Sequence, residues 1–125
     1  MKKVLAIDDE IDFLTILKLN LEGAGDYKVI ISTNAGDIVR LVNDNRPDVI
    51  LMDILMPGVT GFDALDMLNN DPVGAGTPVI ALSALEKQSD KMTAYKKGVV
   101  DYLNKPISKE DVIKKIERAI SRKSL

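Results

Sequence analysis

Five short runs of apolar residues recur along the 125-residue chain, and a longer stretch with helical periodicity follows each of them. Several runs are too continuously apolar to leave one face in water, which predicts strands that are covered on both sides. The expected strands are 4–7, 28–31, 49–52, 79–82 and 100–103. We therefore predict one α/β domain over residues 1–125, with a parallel sheet between two layers of helices.

Apolar positions three or four residues apart predict the helices. They are Leu14, Leu17 and Leu21 in the first; Ile38, Leu41 and Val42 in the second; Phe62, Leu65 and Leu68 in the third; Met92 and Tyr95 in a weak fourth; and Val112, Ile116, Ala119 and Ile120 in the last.

The ends of the helices carry their own signals. The pairs Asn34–Asp37 and Ser108–Asp111 predict caps at the start of the second and fifth helices. Gly23 and Gly25 are expected to end the first helix, and the tripeptide 46–48 (Arg-Pro-Asp) the second. The polar, Gly- and Pro-containing stretch 69–78 is typical of a long loop.

Three residue types are missing from the sequence, and their absence excludes several chemistries. Without Cys there are no disulfides, thiolate metal sites or thiol nucleophiles. Without His there are no imidazole acid–base groups, His-bound zinc ions or phosphohistidine carriers, and there is also no Trp. The net charge of −2 and pI near 5.1 argue against a nucleic-acid-binding surface.

No apolar run approaches the roughly 20 residues that a membrane helix needs, so we expect no membrane association. The N-terminal run 4–7 is too short for the core of a signal peptide. A cytoplasmic protein is therefore expected.

Polar side chains suited to chemistry follow four of the five predicted strands. They are Asp8, Asp9, Glu10, Asp53, Ser83 and Lys105. The carboxyl ends of parallel strands lie at one edge of a sheet, and ligands bind there, where the strand order reverses. These residues are therefore candidates for one shared site.

If the first and third strands are neighbours, Asp8, Asp9 and Asp53 share a pocket in which their charges repel one another unless a cation compensates. Mg²⁺ is a hard ion that prefers oxygen ligands, so it is the natural partner. Lys105 adds a positive charge and Ser83 a hydroxyl. Together these groups can bind a phosphoryl group, with a carboxylate as the nucleophile.

Each of these residues also has a simpler interpretation. An Asp after a strand is commonly a helix cap, and the run 8–10 would favour the positive end of the first helix. Ser83 is a good capping type, and a lone lysine is usually solvated. Four such residues at four strand ends nevertheless favour a site over four unrelated caps.

The segments 4–10 (VLAIDDE), 48–58 (DVILMDILMPG), 79–84 (VIALSA) and 101–106 (DYLNKP) carry these residues. In order and spacing they resemble the receiver domains of two-component response regulators, of the chemotaxis-regulator type, over essentially the whole chain. The resemblance implies a doubly wound (βα)5 fold, which is flavodoxin-like, with a five-stranded parallel sheet of order 2-1-3-4-5. It also implies a phosphorylation-dependent signalling switch rather than a turnover enzyme.

The resemblance implies a role for each site residue. Asp53 matches the phospho-acceptor, Asp9 a direct Mg²⁺ ligand, Asp8 a ligand acting mainly through water, and the backbone carbonyl of Leu55 a further ligand. Lys105 and Ser83 would each contact a phosphoryl oxygen. Tyr102 matches the aromatic switch residue whose rotamer follows that hydroxyl. The Lys105–Pro106 peptide bond is expected to be cis.

The same resemblance implies the partners. A sensor histidine kinase or a phosphotransfer protein would donate the phosphoryl group from a phosphohistidine. A downstream protein or an output domain would read the surface of the fourth helix, fifth strand and fifth helix, which is also a candidate homodimer surface. Direct DNA binding is not expected, because the sequence contains no helix-turn-helix or other reading module.

Some positions differ from the family pattern or tune it. Thr60 stands where Asp or Asn is usual before Gly61, and Val99 replaces a frequent Ala after Gly98, so local turn geometry is in doubt there. The resemblance places Leu55 and Leu85 at the family's two positions beside the route of attacking water. Apolar side chains at both predict slow self-dephosphorylation.

Three rival functions use similar residues. A phosphatase of the haloacid-dehalogenase type needs a second Asp two places after its nucleophile, where this chain has Leu55. An interaction module that is never phosphorylated would not need the intact site. Flavin mononucleotide binding conflicts with the acidic run 8–10, which would repel its phosphate.

A basic stripe of Lys114, Arg118 and Arg122 occupies the last helix at four-residue spacing. A solvated face explains it. A docking surface for an acidic partner or for a second copy of the domain is the alternative.

Overall fold

Strands and helices alternate along the chain as predicted. The structure is a computed structural model that describes residues 1–56, 58, 60–83 and 88–124. In chain order its elements are β1 (Lys2–Ile7), α1 (Ile11–Gly23), β2 (Tyr27–Ser32), α2 (Ile38–Asn45), β3 (Val49–Asp53), α3 (Gly61–Asn69), β4 (Val79–Ser83), α4 (Gln88–Lys96), β5 (Asp101–Asn104) and α5 (Lys109–Ser124). A short 3₁₀ turn precedes α2, and another lies in the predicted loop 69–78.

The five strands form one parallel sheet in the order β2-β1-β3-β4-β5, which confirms the expected topology. In the register of β1, Val4 lies beside Val29 on one side and Val49 on the other. The chain runs outward in opposite directions from the β1–β3 pair. The carboxyl ends of β1 and β3 therefore border the crevice where the strand order reverses, which is where ligands bind in such sheets.

Alternate residues of the central strands enter two separate cores. Leu5 and Ile7 pack with α2, α3 and α4 on one face of the sheet. Val4 and Ala6 pack with α1 and α5 on the other. This two-sided burial is the physical reason that the strands read as continuous apolar runs.

The apolar stripes of the helices are confirmed except in α4. Leu14, Leu17 and Leu21 of α1 are buried, as are Val112, Ile116 and Ala119 of α5. Within the part of the chain that the structure describes, no helix combines the length and apolar character that crossing a membrane requires.

The predicted face of α4 is wrong. Met92 and Tyr95 are 54% and 49% exposed, whereas Ala94 is fully buried. The helix lies against the sheet through this small side chain and through Val99 just after it, both in the core on that face. A small residue permits close packing but carries little weight in a hydrophobic pattern, so periodicity selected the wrong side of the helix.

The predicted helix ends are mostly confirmed. The Ser108 hydroxyl accepts a hydrogen bond from the Asp111 N–H at the start of α5 (3.1 Å). The Asn34 side chain instead caps the 3₁₀ turn before α2, by accepting from the Gly36 N–H (2.9 Å). Arg46 ends α2 in the left-handed conformation with φ of 49°, and Gly25 turns the chain after α1 with φ of 94°.

Asp101, at the start of β5, joins this strand to α5. Its carboxylate accepts hydrogen bonds from the Tyr102 N–H (2.9 Å) and from Lys115 Nζ (2.8 Å), and Arg118 Nη1 lies 3.6 Å from its second oxygen. Arg122 Nη1 also donates to the carbonyl of Val100 (3.1 Å). Two residues of the basic stripe thus reach back to the β5 edge while remaining exposed.

Replacing Asp101 by Asn is expected to lower the free energy of unfolding at neutral pH by about 1.5–3 kcal/mol, the range for hydrogen bonds to charged groups. Burial raises the pKa of Asp101, but the hydrogen bonds from Lys115 and Tyr102 outweigh it, so the pKa lies below its ordinary value. A depressed carboxyl pKa stabilises the fold above the unfolded pKa, and that stability disappears as the pH falls through the folded pKa.

Urea denaturation of both proteins at several pH values checks this. The difference between them should be largest at neutral pH and shrink below about 3.8, the ordinary value for the carboxyl. The exposed Asp44, replaced by Asn, is the matched control and should change little. A difference that is constant across the pH range would contradict the ion-pair explanation.

Candidate functional site

The carboxyl ends of β1 and β3 bring Asp8 and Asp53 together, and Lys105 reaches between them from the end of β5. Lys105 Nζ lies 2.5 Å from Asp8 Oδ2 and 3.3 Å from Asp53 Oδ2. Both carboxylates are buried. Residues that are 45 to 97 positions apart in the chain therefore share one pocket, as the sequence predicts.

The second oxygen of each carboxylate is fixed by the turn that follows its strand. Asp8 Oδ1 accepts from the Glu10 N–H (2.9 Å), and Asp53 Oδ1 accepts from the Leu55 N–H (2.9 Å). These are turns in which a side chain bonds the backbone two residues on. The side chain of Glu10, the N-cap residue of α1, forms no capping hydrogen bond. One oxygen of each carboxylate therefore has a local role in ordering the turn. The other, Oδ2, is directed at Lys105.

The pocket carries more negative charge than positive charge. Burial raises the pKa of Asp53, and the charge of Asp8 raises it further, against the Leu55 N–H and Lys105, which lower it. Burial alone would lower the pKa of Lys105, but the hydrogen bond that its ammonium donates to Asp8 and the charges of both carboxylates raise the pKa above its ordinary value. The ammonium therefore stays charged, and the surplus of carboxylates favours a further cation.

Asp8, Asp9 and Glu10 form an acidic cluster whose ligand oxygens lie within 4.8 Å of one another. Asp9 and Glu10 are exposed at the rim, and Asp8 is buried below them. Carboxylate oxygens beside a second acidic strand end are the donor set that Mg²⁺ prefers, so the residues fit such an ion. Glu10 was not among the predicted ligands, although it adjoins them in the sequence, and its carboxylate also lies 3.8 Å from Lys105 Nζ.

Ser83 and Tyr102 occupy the two strands beyond Asp53. In the sheet Asp53 pairs with Leu82, and Ser83 is the next residue along β4 and is buried. The Ser83 carbonyl accepts from the Lys105 N–H (3.1 Å), so the end of β4 is joined to the residue that follows β5. Tyr102 is 8% exposed, and Lys91 Nζ lies 4.8 Å from the centre of its ring.

Two further residues support the site without being apparent from the sequence. The Phe13 ring of α1 lies 4.4 Å from Lys105 Nζ. Gly61, the first residue of α3, packs so closely on β3 that an added Cβ would lie 2.3 Å from Ile54 Cα and 2.5 Å from the Asp53 carbonyl oxygen. The sequence indicates the close packing of Gly61 only by placing a glycine at the start of a helix. Helical spacing gives no indication that Phe13 contacts Lys105.

The departures from the family pattern are accommodated locally. Thr60 caps α3, because its hydroxyl accepts from the Asp63 N–H (3.2 Å) while the Asp63 carboxylate accepts from the Thr60 N–H (3.1 Å).

The Lys105–Pro106 peptide bond is cis, as expected. Leu85 and the end of the predicted segment 79–84 lie outside the described residues.

A doubly wound parallel sheet with acids at the carboxyl ends of β1 and β3, a hydroxyl at the end of β4 and a lysine after β5 defines a class of signalling domain. The model of the response regulator receiver domain family matches residues 4–117. The chain therefore belongs to the receiver domains of two-component response regulators. Receiver domains are signalling switches rather than turnover enzymes, and they generally bind Mg²⁺.

Three relatives illustrate the similarity. Protein PilH from Pseudomonas aeruginosa is 36% identical over 121 residues, covering 97% of this chain and 99% of PilH. The structure of the chemotaxis protein CheY4 from Vibrio cholerae has a TM-score of 0.88 and 28% identity, covering 95% of this chain and 98% of that one.

The third is the receiver domain of the sensor histidine kinase PA1611 from Pseudomonas aeruginosa, described with a magnesium ion coordinated in its active-site cleft. It has a TM-score of 0.86 and 28% identity, covering 96% of this chain and 98% of that one. Other curated relatives are transcriptional regulatory proteins, and this chain spans about half of their length.

Proposed function

We propose that the chain accepts a phosphoryl group on Asp53 from a partner histidine kinase or phosphotransfer protein. The observation that carries this is the Lys105 ammonium between the two buried carboxylates. Asp53 Oδ1 is held by the Leu55 N–H, which leaves Oδ2 as the attacking oxygen. Its bond to phosphorus forms as the phosphorus–nitrogen bond to the donor imidazole breaks, and the imidazole leaves with the bonding electrons and takes up a proton.

Lys105 would also contact the phosphoryl group once it is on Asp53. In the unphosphorylated site its ammonium donates to Asp8 and Asp53. A phosphoryl group on Asp53 Oδ2 would add oxygens beside Nζ, so the lysine can exchange a carboxylate partner for a phosphoryl oxygen. Positive charge aimed at the transferring group is the kind of stabilisation on which phosphoryl transfer depends.

Mg²⁺ is the proposed cofactor, and Asp8, Asp9, Asp53 and the Leu55 carbonyl are its proposed ligands, with Glu10 at the rim of the same cluster. When bound, the ion would offset the negative charge of the carboxylates and phosphoryl oxygens. The surplus of carboxylates over ammonium groups in the pocket supports this, as does the magnesium described in the PA1611 receiver domain.

Ser83 and Tyr102 are the proposed switch residues. A new dianion on Asp53 would attract the Ser83 hydroxyl and change the space beside Tyr102. The Tyr102 ring is already largely buried, so phosphorylation would act by favouring an inward state over an outward one. The surface formed by α4, β5 and α5, with exposed Met92 and Tyr95, is the proposed output face for a downstream protein, an output domain or a second copy.

Incubation with acetyl phosphate and Mg²⁺, followed by mass spectrometry, tests the proposal. We expect one added phosphoryl group per chain, and no uptake when a chelator removes the metal before the phosphodonor is added. An unmodified mass under conditions that label a known receiver domain would overturn the proposal.

The lifetime of the phosphoryl group should depend on Leu55. Its side chain is 53% exposed beside the Asp53 turn and offers nothing to orient a water molecule. Replacing Leu55 by Asn, whose amide can hydrogen-bond water, is expected to speed label loss severalfold. Leu19→Asn, at an exposed leucine of α1, is the control and should lose label at the wild-type rate. Equal rates in all three proteins would contradict the role of Leu55.

A further inference from the structure

The ammonium group of Lys105 has carboxylates on one side and an aromatic ring on the other. Asp8, Asp53 and Glu10 place oxygens within 3.8 Å of Nζ. The Phe13 ring centre lies 4.4 Å from the same atom. Lys105 is mostly buried, so the ring takes a place that water would otherwise occupy.

An aromatic face attracts a cation through its quadrupole, and it does so whichever oxygen accepts the hydrogen bonds. The carboxylate contacts are different, because in the proposed reaction Lys105 can exchange one of them for a phosphoryl oxygen. The ring contact can persist through that exchange. It therefore limits the positions of a flexible side chain without competing with the phosphoryl group for hydrogen bonds.

Packing alone does not require an aromatic residue at position 13. Phe13 is only half-buried and lies at the edge of the core beneath α1 and α5. It also lines the groove of about 430 Å³ between those helices, together with Ile16, Lys105 and Pro106. A leucine there would retain apolar contact with the core while removing the π face from Lys105.

We propose that Phe13 is a positioning residue that holds the Lys105 ammonium over the phosphoryl-acceptor site by a cation–π contact. This rests on the proposed phosphorylation of Asp53. Phe13 contacts the lysine and not the reacting atoms, so its effect on the reaction passes through Lys105.

The test compares wild type, Phe13→Leu and Phe13→Tyr in two measurements. The first is the rate of labelling by acetyl phosphate with Mg²⁺. Phe13→Leu should react about three- to tenfold more slowly, the range for a partly desolvated cation–π contact. Phe13→Tyr keeps the ring and should react near the wild-type rate. Ile16→Ala, in the same groove and on the same helix, is the matched control and should not slow labelling.

The second measurement is the NMR shift of the Lys105 ε-methylene protons, which a ring at this distance displaces. The displacement should vanish in Phe13→Leu and remain in Phe13→Tyr. Equal labelling rates for all variants, or equal slowing in the Leu and Tyr variants, would overturn the proposal. If wild type takes up no label, the proposed phosphorylation fails, while an unchanged methylene shift in Phe13→Leu separately refutes the ring contact.

Discussion

Asp53→Asn is expected to abolish phosphoryl uptake completely, the largest effect that any single change in this chain should have. The amide has nearly the shape of the carboxylate, and its oxygen can still accept from the Leu55 N–H that Asp53 Oδ1 uses. The variant loses the anionic Oδ2 that faces Lys105. Without that oxygen there is no nucleophile at the position between the lysine and the acidic cluster.

The loss should not come from unfolding. Burial raises the pKa of Asp53, so the ionised group is less favourable in the folded chain than in the unfolded one. A raised carboxyl pKa costs stability above the unfolded pKa, and that cost disappears as the pH falls below it. The Asn variant carries no such charge. It should therefore be at least as stable as wild type at neutral pH, and this advantage should vanish in acid.

Intact-mass measurement after treatment with acetyl phosphate and Mg²⁺ checks the labelling, and urea denaturation checks the fold. Asp101→Asn is the matched control, because it neutralises another buried aspartate that lies on β5 and pairs with α5. That control should take up label as wild type does. Wild-type labelling of Asp53→Asn would mean that another residue is the acceptor.

The sheet and the acidic pocket could be predicted because they follow from the hydrophobic periodicity of the sequence and from the topology of a parallel sheet. A strand buried on both faces has a continuous apolar sequence, and the loops after parallel strands lie at one edge. The positions of Asp8, Asp53 and Lys105 at strand ends placed them at one edge of the sheet, and the strand order implied by the family resemblance placed the first strand beside the third. No knowledge of side-chain packing was needed.

The parts that could not be predicted depend on how closely two elements approach each other. Ala94 is the buried residue among positions 90–96 of α4, and its small size, which allows the helix to approach the sheet, is also why it contributes little to the hydrophobic pattern. Phe13 contacts Lys105 because α1 packs on the face of the sheet where it lies close to the end of β5. Neither contact produces a regular spacing of residue types that could be recognised in the sequence.

The two interpretations of Asp8 and Asp53, as local turn residues and as residues of a shared site, are also compatible with each other. Asp8 and Asp53 each use one oxygen to order the turn after their strand, as a capping residue would, and direct the other at Lys105. In Asp53 the turn thus fixes the orientation of the oxygen that we propose as the nucleophile. A residue type that favours turns is therefore suited to serve at the active edge of a parallel sheet, and sequence patterns alone cannot separate the two roles.

Gly61→Ala should have the second large effect, a loss of stability together with slower labelling. The added methyl group would lie 2.3 Å from Ile54 Cα and 2.5 Å from the Asp53 carbonyl oxygen, far inside contact distance. Both are backbone atoms, so no side-chain rotation relieves the collision. Overpacking of this kind costs about 2–3 kcal/mol, which exceeds the gain of at most about 1 kcal/mol from replacing Gly in a helix.

Gly23→Ala separates the collision from the general effect of removing a glycine. Gly23 is the last residue of α1, and an added Cβ there has no neighbour within 4 Å. That variant should be unchanged or more stable by about 0.4–1 kcal/mol, because alanine restricts the unfolded chain. Urea denaturation of the three proteins measures both effects, and equal stability of Gly61→Ala and wild type would refute the close packing of α3 on β3.

The labelling rate tells whether this packing matters to the site as well as to the fold. Relief of the collision must move α3 away from β3 or shift the backbone at Asp53 and Ile54. The Asp53 carboxylate is held through the Leu55 N–H in the same turn, so a shifted turn would move its reactive oxygen relative to Lys105. Labelling measured well below the urea midpoint should therefore be slower in Gly61→Ala than in Gly23→Ala. Equal rates would mean that α3 moves alone and that the turn keeps its geometry without it.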